Sequence, residues 1–264
     1  MYKWINHGLH LEYEISGEGI PFIFLHGMGG SVKQIQSTYE PLEGVRLINL
    51  NQQGHGESEA CWENFDFDHL ADDVSDLMDR LEIKKAYFAG ISMGAAVCLN
   101  LAVRYPQKVE KLLLIRNAWT DHPMSDKVQK AYYDLGACLQ EGGIERFYTT
   151  EGWQIVKEPS AYTCNAFTSP FEDKACLKYW QKYQILPDKT PIPNVEVLKN
   201  IQVPVTILAC RNDLCHPYEY GEYLAKYISG AVFREIPDKD KDGALHKKMI
   251  NEAIREMLFK RFYP

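Results

Sequence analysis

One serine in this chain stands where a turn would sharpen it into a nucleophile. Gly90-Ile91-Ser92-Met93-Gly94 follows the apolar run Ala86 to Ala89 and opens a helix-like run, Met93 to Arg104, that stops before Pro106. A strand turning abruptly into a helix strains its central residue, and only small neighbours leave room for it. Such a turn lifts the Ser92 hydroxyl above the strand ends and aims a helix N-terminus at any anion formed there. A serine hydroxyl needs a base, and the base needs an orienting acid. Asp213 directly follows the strand-like run Val205 to Ala209, and His246 comes later, behind the segment Asp242-Gly243-Ala244-Leu245. Serine, acid and histidine therefore lie in that order along the chain. An ionised Asp213 would hold the tautomer of His246 and stabilise its imidazolium. Each residue also has a plainer use: a surface serine at a turn, an aspartate capping the helix near Pro217, a surface histidine of a C-terminal helix.

Acyl chemistry on Ser92 also requires donors for an oxyanion. The N–H of Met93 supplies one, and the glycine-rich loop His26-Gly27-Met28-Gly29-Gly30 supplies another. The elements that must position these groups are legible as alternating strands and helices. Phe22 to Leu25, Val45 to Leu50 and Lys111 to Ile115 are short continuous apolar runs, as strands buried on both faces would be. Leu9 to Ile15 alternates apolar and polar residues after a His7-Gly8 turn, which predicts a hairpin. Asp68 to Leu81 has helical spacing, with Leu70, Val74, Leu77, Met78 and Leu81 on one face; Ser31 to Leu42 fits a helix or a loop. This alternation predicts an α/β fold with a mostly parallel sheet flanked by helices.

The rhythm stops between residues 119 and 197, where Ser125 to Gln140 reads as a helix followed by aromatic-rich helical pieces. It resumes with Val203 to Leu208, a strand at Val232 to Ile236, and a mostly helical Gly243 to Phe262. An insertion between two strands of one sheet predicts a helical lid after the sixth strand. Residues 1–118 and 198–264 then form the core, and residues 119–197 the lid.

The chain has 264 residues and a formal charge of −7, with 45% hydrophobic and 25% charged residues, which is the balance of an ordinary globular protein. Net acidity without a basic stripe argues against nucleic acid as a partner. No apolar run approaches the roughly 18–20 residues needed to cross a bilayer, and the polar start Met1-Tyr2-Lys3-Trp4 lacks the apolar core of a signal peptide. Seven cysteines without a C-x-x-C pair read as reduced thiols, so a cytoplasmic setting is expected. No H-E-x-x-H, clustered cysteines or P-loop occurs, so neither a metal nor a cofactor is expected. The expected partner is a small-molecule substrate, with no nucleic acid and no membrane.

Together these residues resemble the α/β-hydrolase superfamily in its lid-bearing, esterase-like branch. The resemblance runs through the His26-Gly27 loop, Gly54-His55-Gly56-Glu57-Ser58, the Ser92 turn, Asp213 with Pro217 four residues later, and His246. It implies a Ser92–Asp213–His246 triad with the Met28 and Met93 amides as the oxyanion hole. It differs where Asn51 and Gln53 replace the Asp and Arg that usually form a structural ion pair, and in the missing glycine before His246. A serine at the turn separates this chain from related haloalkane dehalogenases and epoxide hydrolases, which carry a carboxylate there.

Arg116 and Asn117 end the strand before the insertion. A buried Arg116 would favour a substrate carrying a carboxylate, and Trp119 begins the aromatic series that could line an acyl pocket, though packing is the default use of such residues. The implied reaction is cofactor-free cleavage of a small carboxylic ester, lactone or thioester. Carbon–carbon bond hydrolysis of a diketone, or a ligand receptor that keeps the fold without turnover, are the alternatives.

Overall fold

Apolar runs such as Phe22–Leu25 and Leu112–Ile115 arise because their strands are covered on both faces. In the computed structural model, which describes residues 1–260, alternate residues of each run enter different cores. Ile23, Leu25, Leu112 and Leu114 face one, while Phe22, Phe24, Leu113 and Ile115 face the other. The strands are β1 (Tyr2–Asn6), β2 (Leu9–Ser16), β3 (Ile20–Leu25), β4 (Val45–Asn51), β5 (Ala86–Ile91), β6 (Val109–Ile115), β7 (Val205–Ala209) and β8 (Val232–Glu235). They form one sheet in the order β1-β2-β4-β3-β5-β6-β7-β8. The pairings of β1 with β2 and of β2 with β4 are antiparallel, and all others are parallel. The predicted hairpin turns at His7 and Gly8, whose φ angles of 46° and 85° are both positive.

The helices are α1 (Val32–Thr38), α2 (Phe67–Arg80), α3 (Met93–Arg104), α4 (Asp126–Glu141), α5 (Gly143–Phe147), α6 (Glu151–Val156), α7 (Ala161–Thr168), α8 (Lys174–Lys178), α9 (Lys182–Ile185), α10 (Tyr218–Tyr227) and α11 (Gly243–Phe259). Helices α2, α3 and α10 contribute to one core, and α1 and α11 to the other. The ambiguous Ser31–Leu42 segment resolves as α1 because the Ser31 side chain accepts from the Lys33 N–H. Asp66 caps α2 in the same way, accepting from His69 N–H.

Helices α4 to α9 lie between β6 and β7. This insert has an aromatic centre of its own: Tyr132 packs 4.7 Å from Phe167, and Phe147 stacks 6.4 Å from Phe167. It is tied to the sheet by Lys182, which is fully buried and donates from Nζ to the Gly54 carbonyl at 2.8 Å. Helix α11 starts at Gly243 because Asp242 accepts from Leu245 N–H, so His246 sits inside its first turns and not on the loop before it. Its predicted end at Phe262 lies outside the described residues. Among the described residues no helix is long and apolar enough to cross a membrane.

Candidate active site

The parallel strands β3, β5, β6 and β7 are neighbours, so their C-terminal ends share one edge of the sheet, the edge where open α/β sheets place ligands. Ser92 follows β5 with φ 55° and ψ −111°, and is the N-cap residue of α3. The flanking glycines are sterically required. A Cβ on Gly90 would stand 2.2 Å from the Gly94 carbonyl oxygen, and one on Gly94 would stand 2.3 Å from the Leu25 carbonyl oxygen. The strained backbone is anchored by Ser92 N–H donating to Ile115 O at 3.0 Å. Met93 begins α3, so its N–H has no acceptor within the helix.

Met28 lines the same cavity as Ser92, on a loop held from beneath by two buried histidines. His26 donates from Nδ1 to Gly27 O at 2.9 Å and accepts at Nε2 from Gln52 N–H at 3.2 Å. His55 donates from Nδ1 to Gln53 O at 2.9 Å, and its Nε2 accepts from Gly29 N–H at 3.4 Å. Burial drives the His26 pKa down to about 4 and that of His55 down as well, so both rings are neutral braces. The substituted positions nearby are paired amides. Gln53 donates to buried Asp73 at 2.8 Å, and Asn51 donates to buried Glu12 at 2.5 Å. Neutral donors thus replace an ion pair without leaving the carboxylates unbonded.

At the end of β7, Asp213 is 6% exposed and meets two cationic or ionisable partners. Its Oδ2 accepts from Arg116 Nε at 2.9 Å and Nη2 at 2.8 Å, and its Oδ1 lies 2.8 Å from His216 Nδ1. The acid is held far below the usual carboxylate range. Burial opposes ionisation, but the charges and hydrogen bonds of His216 and Arg116 outweigh it. Burial also lowers the pKa of His216. Arg116 Nη2 is 3.0 Å from the same His216 Nδ1. A guanidinium can only donate and a carboxylate can only accept, so Nδ1 serves one of them at a time. Because Arg116 Nη2 already has Asp213 Oδ2, the Nδ1–H tautomer bonded to Asp213 satisfies all three groups. It leaves Nε2 of His216 with a free lone pair.

Of the residues singled out by sequence, Ser92, Asp213 and Met28 line one cavity, together with His216. His246 does not join them: its Nδ1 donates to Pro237 O at 2.7 Å and it lines a neighbouring chamber. The early start of α11 is the reason. Arg116 is buried, but its guanidinium is committed to Asp213, so it is not the free carboxylate contact that a buried Arg116 suggested from the sequence. Trp119 is fully buried in the core with its ring 5.0 Å from Phe67, a packing role in place of a pocket-lining one. The residue that sequence reading undervalued is His216. Its signal was the Asp213-Leu214-Cys215-His216 spacing at the end of a strand.

The Ser92 cavity is small, about 40 Å³, room for a water or one small group. The insert roofs it with Tyr132, Tyr162, Thr163 and Ala166.

Comparison with known proteins identifies the family. Residues 20–135 match the family model described as the alpha/beta hydrolase fold. The AB hydrolase superfamily protein YisY of Bacillus subtilis is 36% identical, over 93% of this chain and 94% of its own length. The chain therefore belongs to the α/β-hydrolase superfamily. A dihydrolipoyllysine-residue acetyltransferase component of the acetoin cleaving system of Pseudomonas putida is 42% identical over 108 residues, but only 29% of its length is covered. Among solved structures, an alpha/beta hydrolase enzyme from a Medee basin deep-sea metagenome library superposes with a TM-score of 0.81, at 16% identity and with 100% and 99% of the two chains covered. An enol-lactonase from Burkholderia xenovorans LB400 gives 0.77 at 21% identity, covering 98% and 100%. At these identities the structures speak for the fold alone.

Proposed function

We propose that this protein is a serine hydrolase that cleaves a small carboxylic ester, lactone or thioester through an acyl-enzyme on Ser92. The observation that carries this reading is the strained Ser92 on a cavity shared with an Asp213–His216 pair 2.8 Å apart. In the proposed sequence, Nε2 of His216 takes the Ser92 proton as Oγ attacks the carbonyl carbon. The Met28 and Met93 amides hold the oxyanion, and His216 returns the proton to the leaving group. Water then repeats the steps on the acyl-enzyme, and the insert serves as the lid that keeps bulk water out. Membership of the α/β-hydrolase superfamily agrees with this class. A ligand-receptor reading has one observation in its favour: Arg116 already neutralises Asp213, the charge that should stabilise an imidazolium.

Fluorophosphonate labelling followed by intact mass tests the proposal. A single adduct forms on the wild type and is absent from Ser92→Ala. His216→Gln slows its formation by roughly 10²-fold or more, the usual worth of a general base, and His246→Gln slows it less. No adduct on a folded wild type would favour the receptor, and a His246→Gln defect larger than that of His216→Gln would move the base to His246.

A further inference from the structure

Gln34, Ile91 and Tyr162 line both the Ser92 cavity and a second chamber of about 180 Å³. The rest of that chamber combines the cationic Arg116, Lys239 and Lys247 with aliphatic Ile115 and Ile250 and the polar Ser37, Thr38 and His246. Lys239 and Lys247 line it half-buried, and among the described residues neither has a carboxylate partner. Lys239 Nζ lies 4.1 Å from the centroid of the Tyr162 ring, and the Arg116 guanidinium carbon lies 4.5 Å from the same centroid. Arg116 is neutralised by Asp213; the two lysines are not. Among the described residues no Asp or Glu lines the chamber. The carboxylates near Lys239 in the chain make hydrogen bonds elsewhere and no ion pair with it: Asp240 accepts from Tyr162 N–H at 3.0 Å, Asp238 from Asp240 N–H at 2.9 Å and Asn212 Nδ2 at 3.5 Å, and Asp242 from Leu245 N–H at 2.9 Å.

Gln34 adds a neutral donor. Its Oε1 accepts from Gly27 N–H at 2.8 Å, which leaves its amide N–H groups uncommitted. Ile115 and Ile250 complete an apolar wall long enough for a few methylenes. Two ammonium groups partly withdrawn from water, with no carboxylate in ion-pair contact among the described residues, attract an anion by charge-assisted hydrogen bonding.

We propose that this chamber is an anion subsite, holding a carboxylate or phosphate at the far end of a short aliphatic chain whose reactive carbonyl sits at Ser92. The substrate is then an anionic ester, lactone or thioester. The reactive half of this inference rests on the serine-hydrolase reading; the anionic half stands on the chamber itself.

Titration calorimetry with glutarate, propyl phosphate and glutaramide separates the two halves. Wild type and Ser92→Ala bind at least one of the two anions with similar Kd, and glutaramide gives no heat. The doubly substituted Lys239→Gln, Lys247→Gln protein binds that anion at least tenfold more weakly. Whichever of glutarate and propyl phosphate binds tighter identifies the natural anionic group. If the double variant melts abnormally by circular dichroism, Lys247→Gln alone substitutes for it, with at least threefold weaker binding expected. The proposal is overturned if neither anion binds, if glutaramide binds as well as glutarate, or if the variants bind within twofold of wild type. Anion binding in a protein that forms no fluorophosphonate adduct would keep the subsite and remove only the hydrolase.

Discussion

Replacing Arg116 with Met tests the arrangement at the end of β7 most directly. Arg116 is 2% and Asp213 6% exposed, with Nη2 and Oδ2 2.8 Å apart. At an effective dielectric of about 20, charges roughly 3 Å apart attract by about 5 kcal/mol. The net cost of removing one partner is set by the charge left behind, about 3–5 kcal/mol for a buried pair. His216 Nδ1 remains on Asp213 Oδ1, so the lower end applies. For a chain of this size about 3 kcal/mol corresponds to a fall in Tm of about 6 °C. The pH dependence has a definite sign. Because the native pKa of Asp213 is depressed, its stabilisation is present above the ordinary carboxylate pKa and is lost only as pH falls through the depressed native value. In Arg116→Met that native value rises, so the variant loses stability at a higher pH on acidification. Arg116 also lowers the His216 pKa, so its removal shifts the acid limb of the labelling rate to higher pH. Thermal melts at pH 7 and pH 5 measure the first effects. Adding Asp213→Asn to Arg116→Met removes the stranded charge and recovers part of the loss. A fall below about 3 °C, or a double variant as unstable as the sum of the singles, would refute the buried-pair argument.

Two further outcomes follow from the supports of the site. Burial pushes the Asp73 pKa up to about 6 from 3.8, so the native state holds that proton more tightly than the unfolded chain. The stability this provides is full below about pH 4 and is lost as pH rises through 6. A shift of about two units corresponds to about 3 kcal/mol. Denaturant unfolding of wild type and Asp73→Asn should therefore diverge by that amount between pH 4 and pH 6, and parallel curves would show the carboxyl titrating normally. Gly94→Ala sets two effects against each other. Alanine gains about 1 kcal/mol of helix propensity, but its Cβ would lie 2.3 Å from the backbone oxygen of Leu25. Overpacking of about 1–3 kcal/mol, here against backbone that cannot swing aside, wins. The unfolding midpoint should fall, and an unchanged or higher one would mean that the turn is looser than drawn.

The sheet was legible because its strands are buried on both faces, which forces consecutive apolar residues: Phe22 and Phe24 serve one core, Ile23 and Leu25 the other. The Ser92 turn was legible because its steric demand is local, met by Gly90 and Gly94 within five residues. What escaped was long-range pairing of charge. Arg116 and Asp213 are 97 residues apart, and nothing near Arg116 indicates that its guanidinium is already taken. Lys182 escaped likewise, since lysine is seldom fully buried and its acceptor, the Gly54 carbonyl, is 128 residues away.

The proposal of His216 in place of His246 as the base rests on one cap. Asp242 starts α11 early enough to carry His246 toward the Pro237 carbonyl. Backbone strain points to the same place from another direction. Among the described residues, three of the five non-glycine residues with positive φ, Ser92, Arg116 and Asn212, stand just beyond the C-terminal ends of β5, β6 and β7. Each such residue costs of order 1–3 kcal/mol and persists only where surrounding structure holds it. Three neighbouring strands of one sheet therefore each end in a strained residue, and these either are, or directly precede, the proposed nucleophile, the proposed acid and the cation that neutralises that acid. In the proposed site the acid is kept ionised and its histidine oriented before any substrate arrives, while the two lysines of the adjoining chamber have no ion-pair partner among the described residues.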